Sequence, residues 1–248
     1  MTATVIDELV SIILPVHNQA DHIESTISEY VTGLTRIRHP FEVLLVVNGC
    51  RDRSIEVCTD LAKRYPEVRV LFSERGGWGL AVKLGLEQAG GEFLCYANSA
   101  RTRASDLVLA ILFALANPGA IIKTHRRSRE SFDRRVGSFL YALECRVLFS
   151  LPTWDINATP KVLSRSVYDA VHLAEDGDLL DLELYVQCAR LGTPILEVPI
   201  YGPTRHNGES TTNLRSACRL YWGAFKMWQS SRRPSILPDT AKRPPVER

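Results

Sequence analysis

LVSIILPVHNQADHI, residues 9–23, decides how the rest of the chain is read. Its first eight residues form a nearly unbroken apolar run closed by Pro15 and Val16. Without polar alternation, such a run predicts a strand buried on both faces, as in a parallel sheet. The period then changes. HIESTISEYVTGLTRI (22–37) spaces its apolar residues for a helix, and HPFEVLLVVNG (39–49) is a second buried strand stopped by Asn-Gly. Strand, helix, strand with one long crossover is the unit of an open α/β sheet.

The alternation continues. RDRSIEVCTDLAKRYP (51–66) is a helix ended by Pro66, with Asp52 and Ser54 as N-cap candidates. EVRVLFS (67–73) is a third strand, and GWGLAVKLGLEQAG (77–90) a helix bounded by glycines. EFLCYA (92–97) is a fourth strand, ASDLVLAILFALANPG (104–119) a helix with Ser105 as cap, and AIIKT (120–124) a short strand. The expected fold is therefore α/β, a mostly parallel central sheet with helices on both faces. Right-handed crossovers place a ligand at the carboxyl ends of its strands. Four loops meet there: 15–20, 47–52, 73–79 and 97–103.

The second half is more mixed. SFDRRVGSFLYALECRVLFSL (131–151) is an amphipathic helix, and DINATPKVLSRSVYDAV (155–171) passes from strand to helix. LLDLELYVQCARLG (179–192) is a helix ended by Gly192, PILEVPIYG (194–202) a late strand, and NLRSACRLYWGAFKMWQSSRR (213–233) one long helix. Residues 234–248, rich in proline and mixed charge, are expected to be disordered.

Composition narrows the function classes. The 248 residues are 45% hydrophobic and 23% charged, with a net charge of +2 that gives no argument for nucleic-acid binding. Six cysteines without a C-x-x-C pair read as free thiols in a reducing, cytoplasmic setting rather than a disulfide framework or zinc site. The N-terminal apolar run does not read as a secretory leader, and no stretch reaches the ~20 apolar residues of a transmembrane helix. The expectation is a cytoplasmic protein, with contact to the inner membrane face left open.

VSIILPVHNQADHI, FEVLLVVNGCRDRS and GWGLAVKLGLEQAGGEFL together resemble the nucleotide-sugar half of family 2 glycosyltransferases of the GT-A fold. There the order is P-x-x-N-E, V-D-D-G-S-x-D, a Gly-rich segment, and an apolar strand ending in D-x-D. DINATPKVLSR, LLDLELYVQCARLG, EVPI and RHNGES resemble the polyprenyl-phosphate (dolichyl-phosphate) mannose synthase branch. The resemblance covers roughly residues 9–230. It implies one domain over 1–233: a nucleotide-sugar half (1–125), an acceptor half (126–212) and a C-terminal amphipathic helix (213–233).

Carried over position by position, the resemblance puts Pro15, His17, Asn18 and Gln19 in the loop that holds base and ribose, Gln19 standing where the family has Glu. Asn48 and Asp52 match the second loop, with Val47 in place of an acid that reads the base. Gly79 and Lys83 match the Gly-rich segment, where N–H groups at a helix start and one cation meet phosphate. Taken as residues alone, His17 also reads as a turn residue and Lys83 as a solvated lysine.

The fourth loop departs from the pattern. Asn98, Ser99 and Ala100 stand where D-x-D would bring Mg²⁺ or Mn²⁺ to the diphosphate. Hard cations need charged oxygen ligands, and this triplet offers none. No metal or other cofactor is expected unless other ligands replace the pair. Arg101 and Arg103 follow at once, and guanidinium groups clamp phosphate without an ion. The alternative is a fold that kept its shape and lost catalysis.

On the acceptor side, KTHRRSRESFDRR (123–135) carries six Lys/Arg against two acids, a run that alone reads as a solvated face. The resemblance assigns Arg126, Arg134 and Ser138, with Arg205 and Ser210 of RHNGES, to an acceptor phosphate. Such an acceptor is already an anion and needs no strong general base; a hydroxyl acceptor would need a carboxylate. Asp155 is the first choice for an acid near the sugar, with Asp181 and Glu183 behind it; the last two are two apart on a helix and cannot share a face. The last helix mixes aromatic and basic residues, which suits either a lipid interface or packing on the sheet. The expected function is an inverting transfer of a hexose from a nucleoside diphosphate sugar, GDP-mannose by resemblance, to a polyprenyl phosphate. A soluble hydroxyl acceptor and a catalytically silent nucleotide-sugar-binding protein remain the alternatives.

Overall fold

Residues 8–126, 132–200 and 214–232 are described by a computed structural model of the chain. The predicted alternation runs β1 (Val10–Val16), α1 (Ile23–Arg36), β2 (Phe41–Asn48), α2 (Ser54–Arg64), β3 (Val68–Ser73), α3 (Trp78–Gln88), β4 (Phe93–Tyr96), α4 (Ala104–Ala116), β5 (Ile121–Arg126). The later elements are α5 (Phe132–Phe149), β6 (Lys161–Ser164), α6 (Arg165–Ala170), α7 (Leu180–Leu191), β7 (Ile195–Ile200) and α8 (Leu214–Arg232). The Pro234 tail lies outside the described residues.

One seven-stranded sheet joins both halves in the order β3-β2-β1-β4-β6-β5-β7. β1 pairs in parallel with β2 and β4, and β2 with β3, so four carboxyl ends open onto one edge. β6 runs antiparallel between β4 and β5, and β7 pairs in parallel with β5. The central strands are buried along their whole length, as an unalternating apolar run requires. One core lies between the sheet and α1, α2 and α4; the other lies under α3, α5, α7 and α8.

Two cap assignments are corrected. α2 starts at Ser54 behind Arg53 with no side-chain cap, because Ser54 Oγ instead accepts the Gln19 N–H at 2.8 Å. Asp52 lies one residue too early and makes an Asx turn with the Ser54 N–H at 3.0 Å. α4 begins at Ala104, so Ser105 is already inside its first turn, and Arg103 holds the cap position with no side-chain cap. Gly192 ends α7 as read, in the left-handed conformation with φ 71°.

α8 divides its faces. Leu220, Tyr221, Ala224 and Met227 pack on the core, and the Tyr221 hydroxyl donates to the Gly137 carbonyl at 2.7 Å. Trp222 stays exposed, stacked on Phe225, which in turn meets Trp228.

Gly85 of α3 faces β1, where a Cβ would overlap the Ile13 side chain. Gly85→Ala is expected to destabilise the protein by about 1–3 kcal/mol through overpacking, measured by urea unfolding with an unchanged m-value.

Candidate active site

Asn48, at the end of β2, organises the loops above the parallel strands. Its buried amide donates to the Val16 carbonyl at 2.9 Å and the Val46 carbonyl at 3.2 Å, while Oδ1 accepts the Gly77 N–H at 3.0 Å. One side chain thus ties β1, β2 and the Gly-rich loop together. His17 Nδ1 lies 2.8 Å from the Asn48 carbonyl and so donates; its Nε2 accepts from the Asn18 amide at 3.2 Å. Asn18, at φ 52°, accepts the Arg51 N–H at 2.8 Å, and Asp52 Oδ2 accepts the Ala20 N–H at 3.1 Å. Burial would raise the Asp52 carboxyl, but these hydrogen bonds with Ser54 and Ala20 outweigh it and hold the group below the ordinary carboxylate range. Gly49 has φ 58°, and a Cβ there would stand 2.9 Å from the Gly76 nitrogen, so the loops close only on glycine. Pro15, His17, Asn18, Gln19, Asn48 and Asp52 are therefore brought together at one edge.

The loop after β4 is closed by its own groups. Asn98 Oδ1 accepts the Ala100 N–H at 3.1 Å, and the Asn98 carbonyl accepts from Arg101 at 3.0 Å and Thr102 at 2.9 Å. Ser99 is fully buried and its hydroxyl donates to Gln19 Oε1 at 2.5 Å. Gln19, which stands where the resemblance has Glu, is therefore bonded to the middle residue of the triplet. This donor set does not fit a hard divalent cation: one oxygen serves the turn, one is buried on an amide, and Ala100 brings none. Among the described residues no group of three His, Cys, Asp or Glu is arranged to hold a metal. Arg101 is half-buried in the turn and Arg103 exposed at its end.

The phosphate seat expected at Gly79 and Lys83 is corrected. The segment 174–177 lies on the start of α3, where the Leu80 N–H donates to the Asp176 carbonyl at 2.9 Å. Gly79 makes room for that segment, since a Cβ would stand 2.6 Å from the Glu175 carbonyl oxygen. Lys83 Nζ pairs with Asp176 Oδ1 at 2.6 Å and donates to the Ala174 carbonyl at 2.9 Å. Both residues hold a loop here. Glu183 anchors the same segment, accepting the N–H groups of Ala174 and Glu175 at 2.9–3.1 Å.

Beside these loops, residues in register place Tyr96, Lys161, Lys123 and Glu197 side by side on one sheet face across β4, β6, β5 and β7. Lys123 and Lys161 are fully buried, and their ammonium groups lie 5.8 and 5.6 Å from the centroid of the Tyr185 ring of α7. Buried charges persist only when paired. Lys161 Nζ pairs with Asp181 Oδ1 at 2.9 Å, and that carboxylate also accepts the Tyr96 hydroxyl at 2.8 Å. Asp181 is thus an internal partner rather than a group facing a ligand. Lys123 Nζ donates to Thr153 Oγ1 at 2.9 Å, to Glu197 Oε1 at 3.1 Å and to the Trp154 carbonyl. Burial pushes the Lys123 ammonium down to about 8, although Glu197 and Asp155 pull it up. Burial also lowers Lys161. Glu197 would rise on burial, but Lys123, Thr153 and the Trp154 N–H hold it low.

Arg126, at the end of β5, meets Asp155 in a bidentate pair, Nε to Oδ2 at 2.9 Å and Nη2 to Oδ1 at 2.8 Å. Two of its five N–H donors are used, which leaves the others for a second anion. Arg134 and Ser138 lie on α5, Ser138 half-buried and the Arg134 side chain outside the described residues. Arg205 and Ser210 lie outside them as well. Sequence reasoning missed Tyr96, Lys123, Thr153 and Glu197. The available signal was a lysine inside AIIKT, an apolar strand where an unpaired charge has no place.

Asn48→Ala would remove the amide donor to the Val16 and Val46 carbonyls and the acceptor of the Gly77 N–H. The expected loss is about 1–3 kcal/mol in denaturant unfolding, with faster hydrogen exchange at Gly77.

The model of Glycosyl transferase family 2 matches residues 11–168. Undecaprenyl-phosphate 4-deoxy-4-formamido-L-arabinose transferase of Pseudomonas fluorescens is 24% identical over 204 residues, covering 81% of this chain and 59% of that protein. The chain therefore spans about three fifths of that relative's length. Glycosyltransferase AglE of Haloferax volcanii is 33% identical over 97 residues, 39% of this chain and 31% of that one. Glucosyl-3-phosphoglycerate synthase from Mycobacterium tuberculosis, solved with Mn²⁺, UDP and phosphoglyceric acid, superimposes with a TM-score of 0.69. It is 17% identical, and the match covers 94% of this chain and 80% of that one, a likeness of GT-A fold. With the family model spanning more than half of its residues, this chain belongs to glycosyl transferase family 2.

Proposed function

We propose that this protein is an inverting glycosyltransferase that moves a hexose from a nucleoside diphosphate sugar to a polyprenyl phosphate, without a metal at the loop after β4. By resemblance the donor is GDP-mannose. The observation that carries the reading is the buried row that links Tyr96, the last residue of β4, to the Arg126–Asp155 pair. It sets a carboxylate and a guanidinium beside the loops that the resemblance gives to the donor. Arg101 and Arg103 supply the positive charge that a leaving diphosphate needs. Asp155 is the carboxylate at the sugar, and Arg126, with Arg134 and Arg205, meets the acceptor phosphate. A relative is named for transfer to undecaprenyl phosphate, which supports this acceptor class.

A lipid acceptor also suits the outer surface. Val136, Phe139, Leu140, Leu143 and Val147 are exposed along one stripe of α5, and Trp222 is exposed on α8. No helix among the described residues is long and apolar enough to cross a membrane. The reading is therefore peripheral contact through α5 and α8, whose sequence from 214 to 232 carries four basic residues and no acid. Leu143→Glu with Val147→Glu is expected to abolish co-sedimentation with anionic vesicles while leaving the melting temperature unchanged; full retention on the vesicles would contradict it.

The transfer itself is tested by following nucleoside diphosphate release from GDP-mannose with and without undecaprenyl phosphate. Acceptor-dependent release is expected. Arg134→Ala and Arg205→Ala should each raise the acceptor KM about tenfold or more, the loss of one charge-assisted hydrogen bond. Donor binding with no turnover would mark a silent binding protein, and unchanged KM in both variants would remove the phosphate assignment.

A further inference from the structure

The pair of buried Lys123 and partly exposed Glu197 has no place in the transfer chemistry, yet its hydrogen bonds converge on the two residues that precede Asp155. Glu197 Oε1 accepts the Trp154 N–H at 2.8 Å and the Thr153 hydroxyl. Lys123 donates to the same hydroxyl at 2.9 Å and to the Trp154 carbonyl. Both polar backbone groups of Trp154 are therefore held by one ion pair. Asp155 itself has φ 51°, a conformation that a non-glycine residue keeps only where its surroundings impose it. The Trp154 ring is fixed as well, stacked on Phe139 at 5.5 Å between centroids and met by the Arg146 guanidinium at 4.3 Å. Arg126 fixes the carboxylate from β5, three residues beyond Lys123 on the same strand.

We infer that Lys123 and Glu197 are positioning residues: together they clamp the Thr153–Trp154 backbone so that Asp155 is presented to the site in its left-handed conformation. The inference rests on the proposed role of Asp155 at the sugar. It gives a task to EVPI, whose glutamate is Glu197, and to the lysine buried in AIIKT.

The clamp needs the ammonium form, because a neutral amine cannot pair with Glu197. The charged and titratable groups facing Lys123 are Glu197 of β7, Asp155 of the loop, Lys161 of β6 and Tyr185 of α7, with His125 of β5 3.8 Å from Glu197. Burial pushes the Lys123 ammonium down to about 8, so the clamp is expected to be present below that pH and lost as pH rises through it.

The test uses Asp155→Asn, Lys123→Met and the double variant Lys123→Met/Glu197→Gln, which removes both charges and leaves no carboxylate unpaired. Hydrogen exchange across 152–156 reads the loop directly, and steady-state turnover reads its consequence. Expected are a turnover loss of about 100-fold or more in Asp155→Asn and about 100-fold in the folded double variant, with donor KM within about twofold. The double variant should also lose protection at Trp154 and the alkaline fall in kcat near pH 8. A folded double variant that keeps kcat, or keeps the alkaline fall, overturns the inference. Full turnover in Asp155→Asn removes the reading beneath it, and with it the function assigned to the clamp, even if the loop loosens.

Discussion

The structure depends on one constraint, that two lysines lie fully buried in the middle of a sheet and must be neutralised there. Lys123 and Lys161 sit opposite each other on β5 and β6, and every acid that answers them comes from elsewhere: Asp181 from α7, Glu197 from β7. Leaving either ammonium unpaired would cost several kcal/mol, more than a typical domain can lose without consequence. The pairs therefore fix α7 against β6 and β7 against the 153–155 loop. β6 runs antiparallel between β4 and β5, so the same row reaches from the donor loops at Tyr96 to the Arg126–Asp155 pair. What looks like an acceptor half is stapled to the nucleotide half through charge.

The donor edge follows another logic, neutral and held by hydrogen bonds. Asn48 closes three segments with one amide, and Gln19, where the resemblance has Glu, bonds across loops to Ser99. At the two positions where D-x-D would bring acids, Asn98 spends its oxygen on the Ala100 N–H and Ala100 has none. These neutral groups leave no ligand set for a hard ion. The consequence under the proposed function is that positive charge for the diphosphate must come from arginines fixed in the chain.

Much of the fold was legible because the strands carry unbroken apolar runs and the helices a clear 3.6-residue period; β1 to β5 and α1 to α8 lie close to where those patterns put them. Helix starts were less legible. Ser54, Asp52 and Ser105 have capping chemistry, but the first two bind a neighbouring loop, and Ser105 falls two positions past the cap at Arg103. Of the candidate site, Pro15 to Gln19, Asn48 and Asp52 could be read because local motifs carry them. Gly79 and Lys83 could not, since the segment that occupies them, 174–177, comes from some ninety residues away, and Glu183 is taken up in anchoring that same segment. Lys123 and Glu197 went unread for the same reason: their partners are distant in sequence, and only the register of four strands shows that they meet.

The most direct measurement is a calorimetric titration of the full chain with GDP-mannose and UDP-glucose, once with Mn²⁺ and once with EDTA. The account predicts that one donor binds with the same affinity in both, within about twofold, a difference under 1 kcal/mol. Binding that appears only with Mn²⁺ would contradict it and would require acidic ligands other than those at the loop after β4.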